Sequence, residues 1–62
     1  MIKAIIIDDE KDARFVLRNL VEKHLGSLTI VAEADGIETG IEAINKHQPD
    51  LVFLDIQMRK GT

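Results

Sequence analysis

The run Ile2-Lys3-Ala4-Ile5-Ile6-Ile7 ends abruptly in Asp8-Asp9-Glu10, and this junction constrains the fold more than any other stretch. Its aliphatic part is too short for a buried helix and lacks the alternation of a half-exposed strand. It predicts a strand over 2–8 that is covered on both faces. Strands of that kind belong to parallel sheets, whose crossover helices lie on both sides. The acids that end it repel one another at close quarters, so their position needs a reason elsewhere in the chain.

After the acids, Ala13, Val16, Leu17, Leu20, Val21 and His24 recur at helical spacing, with Arg14, Arg18, Glu22 and Lys23 on the other side. An amphipathic helix over 11–25 is expected, closed by Gly26 as a left-handed cap. Leu28, Ile30 and Ala32 alternate with Thr29, Val31 and Glu33, the pattern of a sheet-edge strand over 28–34. Asp35 is placed to cap a helix over 36–47 with an apolar stripe of Ile37, Ile41 and Ile44. Gly40 on that side permits close approach to a sheet, and Pro49 stops the helix. "LVFL" begins a third buried strand over 51–55, and 56–62 leaves as loop. His24 reads as a partly covered helix residue and His47 as a solvated one, neither in metal-ligand company.

The order β-α-β-α-β predicts an α/β protein with parallel strands and right-handed crossovers. In a doubly wound sheet of the flavodoxin-like order, the first strand lies between the second and third, giving 2-1-3. Ligands then bind beyond the carboxyl ends where the winding reverses. Asp8 and Asp9 end the first strand and Asp55 the third, so three acids distant in sequence are brought to one site.

Composition narrows the remaining classes. The 62 residues amount to one small unit, which by size scaling buries only about 60% of its unfolded surface. Without cysteine there are no disulfides or thiolate metal sites, and a cytoplasmic setting is expected. No apolar run is long enough for a membrane span. A net charge of −3, with two Phe and no Tyr or Trp, provides neither a basic stripe nor a stacking platform, so nucleic-acid binding by this segment is not expected.

Three adjacent carboxylates are best compensated by a divalent cation. Mg²⁺ takes oxygen ligands, keeps several waters and is commonly held by one or two carboxylates plus phosphate oxygens. An Asp can also act as the nucleophile in phosphoryl transfer.

"IIIDDE" followed by an amphipathic helix, then "ADGIETGIEAI" and "QPDLVFLDIQM", together resemble the first half of the receiver domain of two-component response regulators, the CheY-like superfamily, with a flavour of those carrying LytTR-type DNA-binding outputs. The resemblance implies that Asp55 is the phosphoacceptor, Asp9 a direct magnesium ligand, Asp8 an acid acting through a metal-bound water, and the Gln57 carbonyl a further ligand. It also implies a histidine kinase as phosphoryl donor, docking near Asp12, Phe15 and Val16, and DNA contact only through an output domain. Receivers usually read Met-Pro after the phosphoacceptor, where this chain has Met58-Arg59. The family's hydroxyl residue and lysine belong to later strands, so Lys60 and Thr62 are not assigned those roles. The 62 residues alone are therefore expected to transfer phosphoryl groups poorly. They are expected to form a homodimer through the edge of strand 51–55. A haloacid-dehalogenase-like phosphohydrolase would need a second Asp two residues after the nucleophile, and neither Asp8 nor Asp55 has one.

Overall fold

The computed structural model describes residues 1–55; Gln57 and the rest of the expected 56–62 loop lie outside the described residues. Strand β1 (Ile2–Ile7), helix α1 (Lys11–His24), strand β2 (Leu28–Ala34), helix α2 (Ile37–His47) and strand β3 (Leu51–Leu54) follow one another. The three strands are parallel, in the order β2-β1-β3. Asp8, Leu25, Gly36 and Asp55, expected inside elements, fall just outside them. The ladder nevertheless continues one step further, because Asp8 N–H donates to the Ala34 carbonyl (3.0 Å) and Asp55 N–H to the Ile7 carbonyl (3.0 Å).

The aliphatic run of β1 is buried because it is the central strand and a helix covers each face. Ala4 and Ile6 pack with Val21 of α1 and Ile30 of β2, flanked by Leu17, Leu28 and Phe53. Ile5 and Ile7 point the other way, against Ala34, Val31, Ala32, Val52 and Ala43 of α2. Burying each isoleucine is worth roughly 1.5–3 kcal/mol, and Ile5 and Ile6 are fully enclosed.

The helices meet the sheet on faces that overlap the predicted stripes only in part, at Leu17, Val21 and Gly40. On α1 the inward residues are Leu17 and Val21, flanked by half-buried Arg14 and Arg18, while Ala13, Leu20 and His24 are exposed and Val16 is 56% exposed. Positions 14, 17, 18 and 21 form one helical face: Leu17 and Val21 pack inward, and both arginines beside them reach a glutamate on β2. On α2 the inward residues are Gly40 and Ala43, and Ile37, Ile41 and Ile44 are displaced outward, Ile41 to 54% exposure. Small residues let the helix backbone approach the sheet, and large ones would hold it off.

Both helix ends also differ from expectation. Gly26 is not a left-handed cap: among the described residues no glycine has positive φ, and Leu25 at φ −124° closes α1 with its N–H on the Val21 carbonyl (2.8 Å). Among the described residues the left-handed one is Gln48 (φ 46°), at the end of α2, where Pro49 disfavours a further helical residue. The N-cap of α2 is Gly36 rather than Asp35. Gly36 N–H donates to Thr39 Oγ1 (3.1 Å), whose hydroxyl donates to Asp35 Oδ1 (2.9 Å). His47, expected to be solvated, is half-buried, and its carbonyl accepts a bond from Lys3 Nζ (2.9 Å).

The pairing of β1 with β2 is irregular at one point. Ala4 faces Ile30 but Ile5 faces Ala32, so Val31 is an extra residue in β2. A bulge of this kind inverts the alternation that follows. Leu28 and Ile30 lie on the α1 side of the sheet, and after the bulge Glu33 rather than Ala32 takes that side.

A Cβ on Gly40 would lie 2.7 Å from Ile7 Cδ1 and 3.3 Å from two more carbons of the same buried side chain, whereas Gly26 has nothing within 4 Å. Gly40→Val is therefore expected to destabilise the full-length protein by about 1–3 kcal/mol through overpacking, read by urea unfolding. Gly26→Ala should leave stability unchanged or raise it by about 0.4–1 kcal/mol.

Candidate metal centre

The site is built by register. Ile7 pairs with Leu54 in adjacent parallel strands, so the next residue of each strand, Asp8 and Asp55, emerges at the same level. The Asp55 N–H bond to Ile7 fixes that level. Asp8, Asp9 and Asp55 are all half-buried, and each offers a carboxylate oxygen within 4.8 Å of the others. The cleft beside them is lined by Leu17, Phe53 and Leu54 together with Asp8 and Asp55.

Local hydrogen bonds shape the turn out of β1. Asp8 Oδ1 accepts the Glu10 N–H (2.9 Å), a two-residue side-chain turn of the kind short acids favour. Glu10 is the extended N-cap of α1, and Asp12 lies in the first helical turn, where a negative charge opposes the positive end of the helix dipole. These two exposed acids belong to the helix start. The three aspartates form the cluster, with Asp8 and Asp55 lining the cleft.

A second set of charges lies immediately behind. Arg14 Nη1 donates to the Asp8 backbone carbonyl (2.7 Å), and Arg14 Nε donates to Glu33 Oε1 (3.3 Å). Arg18 donates through Nε to Glu33 Oε2 (2.5 Å) and through Nη1 to Glu22 (3.3 Å). The side-chain hydrogen bond to Glu33 is the main cause that raises the Arg18 pKa above its ordinary value; partial burial opposes it, and the charges of Glu33 and Glu22 add to it. Sequence reading placed both arginines on the solvent side. The available signal was their spacing, since 14 and 18 complete a face with 17 and 21.

Of the four residues expected to hold a metal, Asp8, Asp9 and Asp55 converge, and Gln57 lies outside the described residues. The donor set is composed of carboxylate oxygens and contains no histidine or thiolate, which fits a hard divalent cation such as Mg²⁺ better than Zn²⁺. Three open-sided carboxylates can hold such an ion with coordination positions left for water or phosphate oxygens.

Comparison with known proteins agrees with this geometry. Residues 4–62 match the family model described as the response regulator receiver domain. The chain is 43% identical over 58 residues to the sensory transduction protein LytT of Bacillus anthracis, covering 94% of this chain and 23% of that protein. It is 45% identical over 58 residues to protein-glutamate methylesterase/protein-glutamine glutaminase 1 of Oleidesulfovibrio alaskensis, covering 94% of this chain and 15% of that protein. An uncharacterized response regulatory protein of Vibrio parahaemolyticus is 42% identical over 62 residues, which is all of this chain and 25% of the relative. The chain thus spans a quarter or less of the length of these curated relatives. With a doubly wound parallel sheet and an aspartate cluster at its carboxyl edge, the chain belongs to the response regulator receiver domain family.

Proposed function

We propose that residues 1–62 form the first half of a phosphoacceptor receiver module, which takes a phosphoryl group from a histidine kinase onto Asp55 and so switches an output in the cytoplasm. The observation that carries this reading is the convergence of Asp8, Asp9 and Asp55 within 4.8 Å. In the transfer, an Asp55 carboxylate oxygen attacks phosphorus, the P–N bond to the kinase histidine breaks, and the imidazole leaves with the electron pair. The product is an acyl phosphate on Asp55. Asp9 would hold Mg²⁺ directly and Asp8 through a water on the ion, with Asp55 and the Gln57 carbonyl as the further protein ligands. When bound, the cation offsets the negative charge of the transferring group.

Asp12 and Val16 are exposed at the start of α1, and Phe15 is 64% exposed; this surface supports kinase docking there. The resemblance to receivers with LytTR-type outputs favours a transcription-regulating output, with DNA contacted through that output and not through this acidic segment.

Thermal unfolding of the full-length protein tests the assignment. Mg²⁺ at about 100 times its Kd should add about 2.7 kcal/mol of stability, and beryllofluoride, a phosphoryl mimic, should add a further increment. Asp55→Asn should remove the beryllofluoride increment, and an undiminished increment in that variant would refute Asp55 as the acceptor.

A second reading concerns these 62 residues as an isolated polypeptide. Among the described residues β3 pairs only with β1, and Leu54 on it is 53% exposed. An apolar edge strand is a template for another chain. Antiparallel pairing of two β3 strands about a two-fold axis yields a homodimer with one six-stranded sheet. Light scattering on the isolated polypeptide should give twice the chain mass, falling on dilution, whereas a monomer mass at every concentration would contradict the pairing.

A further inference from the structure

We infer that Arg14 is a positioning residue for the metal centre: its guanidinium, braced by Glu33, fixes the backbone around Asp9 so that the Asp9 carboxylate is aimed at the cation site. This rests on the reading of the aspartate cluster given above and adds to it an anchor from outside the cluster. The peptide plane joining Asp8 to Asp9 is held through the Asp8 carbonyl, which accepts Arg14 Nη1 at 2.7 Å. The plane joining Asp9 to Glu10 is held through the Glu10 N–H, which donates to Asp8 Oδ1 at 2.9 Å. Both planes flanking the Asp9 Cα are therefore anchored, and they set the direction in which its Cα–Cβ bond leaves the backbone.

The anchor requires an arginine. One fork must reach a backbone carbonyl with Nη1 and the Glu33 carboxylate with Nε (3.3 Å). A planar guanidinium spans two acceptors in fixed geometry, whereas an ammonium on a flexible stem acts as a point charge. The Arg14 side chain is only 17% exposed, so water replaces these partners poorly. Glu33 is available because the bulge at Val31 carries it to the α1 side of the sheet. Arg18 shares Glu33, but among the described residues its other hydrogen bond goes to Glu22 on its own helix. It is the natural control.

Charge and geometry make opposite predictions, which separates them. A positive charge beside a cation site weakens cation binding, so loss of that charge alone would tighten it. Loss of the anchor would loosen Asp9 and weaken binding. The experiment titrates Mn²⁺ into the full-length protein by water-proton relaxation and follows amide exchange of the 8–10 segment by mass spectrometry. Wild type, Arg14→Lys, Arg14→Gln and Arg18→Lys are compared, with urea unfolding to confirm that each is folded. Arg14→Lys and Arg14→Gln are both expected to weaken Mn²⁺ binding about tenfold, the range for partners that orient metal ligands, and to accelerate exchange at 8–10. Arg18→Lys should change neither. Wild-type or tighter affinity in Arg14→Gln, or an equal loss in Arg18→Lys, would overturn the inference. Failure of the wild type to bind Mn²⁺ would remove the metal reading itself; the exchange comparison would still decide, since equal protection in Arg14→Lys and wild type refutes the anchor.

Discussion

Enclosure of β1 between two helices is the constraint on which the rest of the structure depends. Ile5 faces α2 and Ile6 faces α1, and both are fully buried. A strand apolar on both faces has no stable place at a solvated edge, so it takes the centre of the sheet and recruits a neighbour on each side. Parallel pairing follows from the helical crossovers. Parallel strands in register also end together, so the residues after Ile7 and Leu54 face the same space.

That geometry turns an electrostatic cost into a capability. Carboxylates within 4.8 Å of one another are unfavourable while nothing compensates them, and the fold holds them there because hydrophobic burial fixes the strand ends. Receiver domains put such a cluster to use at a phosphoryl-accepting site. The exposed acids Glu10 and Asp12 show the contrast, since they lie at the start of α1 and outside the cluster.

Behind the carboxylates, a single irregularity links packing to electrostatics. The bulge at Val31 carries Glu33 across the sheet to meet Arg14 and Arg18. The arginines lie on the face of α1 that carries Leu17 and Val21 inward, while Val16 and Leu20 face outward. The helix orientation is set jointly by an apolar pair and an ion-pair network, which a hydrophobic stripe alone does not report.

The sequence by itself determined the order of elements, the central place of β1 and the meeting of Asp8, Asp9 and Asp55, because apolar runs ended by acids encode strand type and polarity locally. Only the tertiary structure decided which helix faces turn inward, that Gly40 and Ala43 rather than the isoleucines of α2 meet the sheet, and that Gln48 rather than Gly26 adopts the left-handed conformation. It also decided that Arg14 reaches the Asp8 carbonyl. These outcomes depend on the bulge in β2 and on backbone approach distances. Both arise from packing between segments remote in sequence, and neither leaves a periodic trace in the chain.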